Sequence, residues 1–379
     1  MHISRFGRIS LGAALALWLT GCDTEPPPGP GGQTPVSTCE RLAPRLQKAL
    51  ETSLQEEDLP GITASLRLQD CTWHGAAGKS QMEPATEMKA EDRLRAGSIT
   101  KTYIATVMLQ LQTEGKLSLD APLSTWFPDI PRANEIPVRR LLNHTSGVAN
   151  YTTHPDFAAQ LEANPGKVWN PEELVALGVS VSPEFEPGTK WSYSNTNYIL
   201  AGLIIEKVTG TPLTQQLRTR IFDPLGLKNT GLDGLEPLPA LTVRGYTHPS
   251  PESTAWVDYT DVLHPSAAGS AGALISTADE VSAFYQALLG GSLLTAQQRE
   301  EMSQWVSRQM PEAPDYGLAL ARLPTPAGEL HFHDGNIPGF SALAGYLPER
   351  KAAVAVLTNK ESANAIGAMG RLLEVLAAP

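Results

Sequence analysis

The sequence predicts an α/β (α+β) protein in which an antiparallel sheet flanked by helices is formed from both chain ends, with a mostly α-helical domain inserted between them. Two observations support this class. Strand-like runs lie near the N terminus and past residue 272, whereas the stretch between them has the pattern of short helices separated by proline, glycine and polar clusters. With 379 residues, 41% of them hydrophobic, the chain is long enough to bury one or two large cores.

We divide the chain into a leader at residues 1–21, a Pro/Gly tether at 22–37, a sheet domain at 38–97 and 272–379, and a helical domain at 98–271. The leader has two arginines, an apolar run too short to span a bilayer comfortably, and then Leu19-Thr20-Gly21-Cys22. This arrangement resembles a bacterial lipoprotein signal; an ordinary secretory leader with a chance cysteine is the alternative. The resemblance implies an exported, cell-envelope lipoprotein, periplasmic or on the outer surface, held to the membrane only through a lipid on Cys22.

The first helix of the sheet domain begins with a capping-box pattern, Ser37-x-x-Glu40, and continues with leucines at four-residue spacing. An alternating apolar strand follows at residues 62–68. Cys39 begins the helix and Cys71 follows the strand. Because an oxidising compartment favours pairing, we expect a disulfide between these two cysteines, with two unpaired buried thiols as the alternative.

A second helix follows a glycine–serine turn. Apolar residues at three- and four-residue spacing from Ile104 to Leu111 predict that it is buried along one face, and the chain enters it at Gly97-Ser98. Ser98 and Lys101 then lie one turn apart on the same face. A hydroxyl at the first helical turn, beside an amine and among free backbone N–H groups, has the geometry that acyl transfer needs. The alternative is a helix cap followed by a solvated lysine.

The remaining elements give the helical middle and the C-terminal strands. Short helices are predicted at residues 119–127, 138–143, 155–164, 171–178, 197–210 and 213–222. Capped helices are predicted from Thr277 and Thr295, and strands at residues 316–323, 330–333, 342–346 and 353–357. A final helix is predicted over residues 362–376.

A second candidate element lies in a loop of the helical part, Trp191-Ser192-Tyr193-Ser194-Asn195. A tyrosine and an asparagine two positions apart in a loop can point the same way, offering a phenol for proton transfer and an amide to hold it or a substrate. The alternative is a simple helix cap. Tyr-x-Asn occurs once in the chain.

A third candidate element is His333-Asp334-Gly335-Asn336, on or after a strand near the C terminus. A glycine there lets a substrate backbone approach closely, and a strand edge supplies an N–H for an oxyanion. His-x-Gly also occurs once. Each of the three elements is a weak signal in isolation, so the prediction depends on their combination and order.

Together the three elements resemble the motif set of the serine beta-lactamase and penicillin-binding superfamily, whose commoner forms are Ser-x-x-Lys, Ser-Asp-Asn and Lys-Thr-Gly. The matching residues, in this order, are Ser98-x-x-Lys101, Tyr193-x-Asn195 and His333-x-Gly335. Within the superfamily the chain is similar to the branch of class C beta-lactamases, D-alanyl-D-alanine carboxypeptidases and related (family VIII type) esterases. The resemblance covers residues 38–379 and includes the stretches 141–147, 185–189, 224–227, 269–278 and 338–340.

The resemblance implies a role for each motif residue. Ser98 is expected to be the acylated nucleophile, and Lys101 and Tyr193 are expected to share the role of general base. The resemblance does not decide which of the two takes the serine proton. Burial and positive neighbours are expected to push Lys101 toward the neutral amine and Tyr193 toward the phenolate. An oxyanion hole is implied at the N–H groups of Ser98 and Asn336, and no cofactor is implied. The implied substrate-binding residues are Asn195, His333, Gly335 and Asn336.

Other chemistries fit the sequence poorly. The net charge of −11, which includes two leader arginines, disfavours nucleic acid as a partner. The Gly-x-Ser-x-Gly elbow of alpha/beta-hydrolases is absent. His331-x-His333-Asp334 lacks the full ligand spacing of a metallohydrolase, so no metal site is expected. By the resemblance, His144, which looks catalytic, is a buried and hydrogen-bonded scaffold residue.

The residue after His333 differs from the one in the family's commoner Lys-Thr-Gly motif, and the difference bears on the substrate. Penicillins, cephalosporins and D-alanyl-D-alanine peptides present a carboxylate there, to which the family's hydroxyl donates, but this chain has Asp334. An ionised aspartate within ~4 Å of a substrate carboxylate costs about 4 kcal/mol at an effective dielectric of 20, roughly a thousandfold. The alternatives are that Asp334 points away, or that an arginine such as Arg322 neutralises it.

The predicted function is therefore a serine hydrolase that acts on a small ester, amide or peptide through a Ser98 acyl-enzyme, and the absence of a carboxylate-binding hydroxyl favours an esterase or amidase. One alternative is a D-alanyl-D-alanine carboxypeptidase or class C-like beta-lactamase. Another is a non-catalytic binding protein on the same fold, which the intact Ser98, Lys101 and Tyr193 disfavour. The sequence leaves the oligomeric state open.

Overall fold

The computed structural model describes residues 37–309 and 313–378. The leader, the tether and the predicted lipidation residue Cys22 lie outside the described residues. Residues from Ser37 onward form one compact unit, and the predicted boundaries at residues 97 and 272 stay a prediction. The helices are α1 (Thr38–Glu56), α2 (Thr100–Thr113), α3 (Val138–Leu142), α4 (Pro155–Ala163), α5 (Pro171–Val179), α6 (Asn195–Thr209), α7 (Leu213–Leu217), α8 (Asp223–Leu225), α9 (Gly269–Gly272), α10 (Ala278–Gly290), α11 (Ala296–Met302) and α12 (Ala365–Ala377).

The strands form one large antiparallel sheet and two small ones. They are β1 (Gly61–Arg67), β2 (Thr72–Gln81), β3 (Thr86–Glu87), β4 (Leu94–Gly97), β5 (Gly231–Leu232), β6 (Tyr246–Thr247), β7 (Val257–Asp258), β8 (Leu274–Ser276), β9 (Ala321–Thr325), β10 (Gly328–Ile337), β11 (Phe340–Leu347) and β12 (Ala352–Thr358). The large sheet has the order β3-β2-β1-β12-β11-β10-β9, and the small ones are β4-β8-β5 and β6-β7. At its centre β1 pairs with β12, from Ile62 opposite Thr358 to Arg67 opposite Ala353. This pairing of the two chain ends confirms the predicted fold class.

The central strands are buried on both faces, so their alternating side chains reach two different cores. In β12, Val354 and Val356 pack in a core with α1 and α12. Ala353, Ala355 and Leu357 lie in a second core, against α10. That second core continues through α2 and α6, so it joins the sheet to the helices that carry the site.

Several predicted elements have the expected boundaries, and others differ for identifiable reasons. The capping box of α1 is formed, because Glu40 N–H donates to Ser37 and Ser37 N–H donates to the Glu40 carboxylate. Helix α2 is buried on nearly all sides rather than along one face, because α6, α7 and α9 pack around it. Strand β9 starts at Ala321 rather than residue 316, after Ala319 adopts a left-handed φ of 59°. No helix of residues 37–309 and 313–378 is long and apolar enough to cross a bilayer.

The structure joins the sulfur atoms of Cys39 and Cys71, which links the start of α1 to the turn before β2. Replacing both residues with serine is expected to lower the free energy of unfolding by about 3 to 4 kcal/mol, since the bridge restricts the unfolded chain. Chemical denaturation measures this loss, with the reduced wild-type protein as the control. Non-reducing peptide mapping of protein purified without reductant should recover the two cysteines in one cross-linked peptide, and recovery of both as free thiols contradicts the prediction.

Candidate active site

Ser98 lies in the turn that joins β4 to α2, at the place where β10 passes closest. Gly97 has a φ of 53°, in the left-handed region that glycine adopts without steric cost. A Cβ atom on Gly335 would lie 1.9 Å from the carbonyl oxygen of Ala96 and 3.1 Å from Ser98 N. One on Gly97 would lie 2.9 Å from Asn336 N. The two glycines therefore let β10 run directly against the Ser98 turn.

Gly335→Ala is expected to reduce the rate of hydrolysis by roughly a hundredfold or more, because the added methyl must push β10 away from Ser98. Displacement of catalytic groups by about 1 Å lowers the rate by roughly that factor. The matched control is Gly370→Ala in α12, where nothing lies within 4 Å of an added Cβ. That control is expected to keep full activity and to gain up to about 1 kcal/mol in stability. Initial rates and thermal denaturation measure both. Wild-type activity in Gly335→Ala contradicts the close contact.

Lys101 is the buried centre of the site. It lies in the first turn of α2 and is 0% exposed. Its Nζ is 2.9 Å from Ser98 Oγ, 2.8 Å from Asn195 Oδ1 and 2.7 Å from the carbonyl oxygen of Ala271. Burial holds the pKa of Lys101 well below its usual value, although the charge of Asp334 acts in the opposite direction. Burial therefore shifts the equilibrium of Lys101 toward the neutral amine.

A count of hydrogens shows what the neutral amine does. A protonated Lys101 has three N–H bonds, one for each of its three neighbours. A neutral Lys101 has two N–H bonds and one lone pair. Because Asn195 Oδ1 and the Ala271 carbonyl can only accept, they take both N–H bonds, and the lone pair faces the Ser98 hydroxyl. Lys101 is thus placed to receive the serine proton.

Tyr193 is the second group on the serine hydroxyl. Its phenol donates to Ser98 Oγ at 2.7 Å. Burial raises the pKa of Tyr193 well above its ordinary value, and this outweighs the opposite effect of the Ser98 hydrogen bond. The expectation that Tyr193 tends toward phenolate is therefore wrong, because desolvation penalises the anion. Tyr193 is a proton donor in this site.

His144 fixes the loop that carries Tyr193. Its carbonyl oxygen accepts from Ser192 N–H at 3.0 Å, and its Nδ1 accepts from Ser194 N–H at 3.2 Å. The two bonds hold the residues on either side of Tyr193, whose ring centroid lies 4.4 Å from that of His144. Burial lowers the pKa of His144 well below its usual value, so the ring is neutral. These contacts agree with the scaffold role that the resemblance implied.

His333 lies behind the catalytic groups rather than in the open site, with 2% of its surface exposed. Its Nδ1 is 2.5 Å from the carbonyl oxygen of Asp334 and therefore carries the hydrogen, while Tyr316 O–H donates to Nε2 at 2.8 Å. Burial lowers the pKa of His333 to about 4, so the ring is neutral at pH 7. Where the commoner family motif has a lysine, this site has an uncharged ring. Its predicted contact with substrate stays a prediction.

A cavity of about 140 Å³ opens beside Ser98. Its polar wall includes Asn195 and Asn336, which were predicted to bind substrate. Most of the remaining wall is apolar and is formed by side chains that include Tyr151, Phe157, Leu263, Ile337 and Pro338. The volume and lining suit one compact, uncharged substituent of a substrate.

The structure adds groups that sequence reasoning missed. The Ala271 carbonyl, which orients the Lys101 amine, is a backbone atom without a side-chain signature, although it lies inside the stretch 269–278 that matched the family. Tyr316, which fixes the hydrogen on His333, was assigned only to a strand. Among residues 37–309 and 313–378, no three His, Cys, Asp or Glu side chains are grouped to hold a metal ion, and His331 bonds to Glu329.

A lysine and a tyrosine that converge on one serine hydroxyl, between an antiparallel sheet and a helical region, define a serine hydrolase of the acyl-transfer type. The chain belongs to the Beta-lactamase family, whose model matches residues 46–378. It is therefore a serine hydrolase with the beta-lactamase fold.

Three relatives place the chain within this family. It is similar in structure to a D-stereospecific amidohydrolase from Streptomyces sp., with 36% sequence identity and a TM-score of 0.77 over 86% of this chain and 97% of that chain. Penicillin-binding protein 4* of Bacillus subtilis (strain 168) is 26% identical over 339 residues, which are 83% of this chain and 71% of that protein. Esterase EstB of Burkholderia gladioli is 29% identical over 208 residues, and the chain spans 53% of its length.

Proposed function

We propose that this protein is a serine esterase or amidase that acts through an acyl-enzyme on Ser98 and prefers substrates without a terminal carboxylate. One observation carries the proposal: the buried Lys101 amine contacts the Ser98 hydroxyl and two groups that can only accept, so the neutral amine gives its two N–H bonds to those acceptors and turns its lone pair toward Ser98. A serine with a dedicated neutral base is an activated nucleophile. The names of the relatives, an amidohydrolase and an esterase, support the same reaction class.

Acylation follows from these contacts. Ser98 Oγ attacks the substrate carbonyl carbon while its proton passes to Lys101. The carbonyl oxygen becomes an oxyanion and accepts from the N–H groups of Ser98 and Asn336. The bond from carbon to the leaving alcohol or amine then breaks, and the leaving group takes a proton from Tyr193, which is restored by the Lys101 ammonium.

Deacylation uses the same groups in reverse order. A water molecule attacks the Ser98 ester, and its proton passes to Lys101. When the tetrahedral intermediate collapses, the bond to Ser98 Oγ breaks and Oγ takes a proton from Tyr193, which the Lys101 ammonium restores. The products are a carboxylic acid and the free enzyme.

Asp334 supports the preference for substrates without a carboxylate. It projects from the face of β10 opposite Gly335, the position that meets the Ser98 turn, so the alternative that its side chain points away from Ser98 is the one that strand alternation supports. Arg322 is bonded to Asp315 at 2.7 Å and lies 3.8 Å from Glu329, so it is not the counterion of Asp334. The proposed preference therefore depends on the negative charge of Asp334 near Lys101, without an arginine counterion from Arg322, and not on a direct contact between Asp334 and the substrate.

One substrate panel tests the proposed reaction class. It contains a short-chain ester, a D-amino-acid amide, a D-alanyl-D-alanine peptide and a chromogenic cephalosporin. We expect the ester or amide to have the highest kcat/KM, and Asp334→Thr to raise activity on the two carboxylate substrates relative to the ester. Faster cleavage of the D-alanyl-D-alanine peptide than of the ester by the wild type contradicts the proposal. Absence of all hydrolysis favours the binding-protein alternative.

We also propose that the protein is exported and anchored through a lipid on Cys22, as the leader pattern suggests. Metabolic labelling with a radioactive fatty acid should mark the wild type and not Cys22→Ser. Equal labelling of both proteins, or of neither, contradicts the anchor.

A further inference from the structure

Phe157 of helix α4 forms part of the wall of the active-site cavity, which opens beside Ser98 with a volume of about 140 Å³. Among the residues of α4, only Phe157 is buried, with 8% of its surface exposed. Its ring also packs against two aromatic side chains. The ring centroid lies 5.2 Å from that of Tyr151 and 5.0 Å from that of Trp169. Phe157 therefore has the cavity as one neighbour and packed rings as others.

The aromatic neighbours of Phe157 are themselves fixed. Tyr151 O–H donates to the Ala267 carbonyl oxygen at 2.6 Å. The backbone N–H of Trp169 donates to Ser266 Oγ at 2.8 Å. Trp169 is 3% exposed and lines a second cavity, of about 210 Å³. Because close-packed interiors yield little, the Phe157 ring has little freedom to move aside for a longer substituent that enters the active-site cavity.

The position of the proton donor indicates which half of a substrate occupies the active-site cavity. In the proposed reaction the leaving group takes its proton from Tyr193, whose hydroxyl is 2.7 Å from Ser98 Oγ. The leaving group must therefore lie against Tyr193. Within the described ranges, the residues that line the active-site cavity do not include Tyr193. The half that the cavity receives is then the acyl group, which stays on Ser98 after the leaving group departs.

The volume of the cavity indicates the size of that acyl group. An apolar cavity of ~150 Å³ in a protein interior holds one benzene molecule, so about 140 Å³ suits a phenyl ring or an apolar chain of similar bulk. We propose that Phe157 determines acyl specificity, because its ring limits the acyl group to one apolar substituent of about this size. The preferred substrates are then esters or amides of acids such as phenylacetic acid. This inference rests on the proposed function and names the acyl part of its substrates.

A set of p-nitrophenyl esters tests the proposal, because the leaving group is constant and only the acyl group changes: butyrate, phenylacetate and octanoate. We expect the wild-type kcat/KM to be highest for phenylacetate and lowest for octanoate. Phe157→Ala removes the ring that stops a longer chain, so the ratio of kcat/KM for octanoate to that for butyrate should rise about tenfold or more. Phe157→Trp fills part of the cavity, so the ratio of phenylacetate to butyrate should fall about tenfold.

The matched control is Leu161→Ala, on the same helix. Leu161 is a partly buried side chain that packs against the core and does not belong to the described lining of the active-site cavity. This substitution loosens α4 without changing the cavity wall, so both ratios should keep their wild-type values. Thermal denaturation of all variants shows whether each is folded.

The contrary results are distinct. A ratio of octanoate to butyrate that Phe157→Ala leaves unchanged, or that Leu161→Ala raises equally, overturns the assignment of Phe157. If Phe157→Ala does not fold, Phe157→Trp decides, and a wild-type ratio of phenylacetate to butyrate in that variant overturns the proposal.

Ethyl butyrate and octyl butyrate vary the leaving group instead of the acyl group. If Phe157→Ala changes their ratio of kcat/KM and not the acyl series, the cavity receives the leaving group and the acyl assignment is overturned. Hydrolysis of p-nitrophenyl butyrate that depends on Ser98 shows that the proposed function stands even when this inference fails. Absence of hydrolysis of every ester and amide overturns both.

Discussion

Ser98→Ala is expected to abolish hydrolysis of every substrate while the protein stays folded. The substitution removes one partly exposed hydroxyl, and that hydroxyl is the atom on which Lys101 and Tyr193 converge at 2.9 and 2.7 Å. Loss of the nucleophile in covalent hydrolases costs several orders of magnitude in kcat, so we expect a decrease of roughly 10⁴-fold or more. Initial rates on a short-chain ester measure it.

The control for this variant is Ser118→Ala, at an exposed serine outside the site whose hydroxyl accepts only from Asp120 N–H. Circular dichroism and thermal denaturation should show both variants folded. Only Ser118→Ala should retain activity. Retention of more than about a hundredth of the wild-type rate in Ser98→Ala contradicts a covalent mechanism.

Lys101→Arg is expected to be nearly as damaging as Lys101→Ala, with a loss of about a thousandfold in kcat/KM. Guanidinium keeps its charge throughout the working pH range and cannot accept the serine proton. The side chain at this position is also fully buried, and its three close polar neighbours leave room for an amine but not for the larger guanidinium. The kcat/KM values of Lys101→Arg and Lys101→Ala on one ester, each compared with that of the wild type, measure the effect. An active Arg variant shows instead that Lys101 supplies only a fixed positive charge.

Activity is expected to decrease toward acidic pH if Lys101 is the general base. Lys101 acts as the neutral amine, so kcat/KM should fall as the pH decreases through the Lys101 pKa, which burial sets well below its usual value. His333 is already neutral above a pKa of about 4, so it does not cause a loss near pH 6 to 7. An acid limb that remains in the residual activity of Lys101→Ala contradicts the assignment.

The elements with strong local patterns were predictable. The capping box and leucine spacing of α1 and the apolar runs of β11 and β12 determine those elements in the structure. Strand β2 has two glycines and several polar residues without alternation, so nothing local marks it; its pairing with β1 forms it. The start of β9 depends on the left-handed Ala319, which an ordinary alanine does not signal.

In the site, the residue types were predictable and their charge states were not. Ser98, Lys101 and Tyr193 were found from motif order, and the structure brings them into contact. The neutral state of His333 depends on burial and on Tyr316, and the protonated state of Tyr193 depends on desolvation outweighing its neighbours. Burial is produced by packing of distant segments, which no local spacing encodes.

The central claim is that Ser98 is a nucleophile activated by Lys101, and peptide mass spectrometry after brief incubation with a serine-reactive fluorophosphonate tests it most directly. We expect one adduct, on the peptide that contains Ser98, in the wild type, with a labelling rate at least about a hundredfold lower in Lys101→Arg and no adduct in Ser98→Ala. Hydrolytically active protein without an adduct, or with the adduct on a different serine, contradicts the claim.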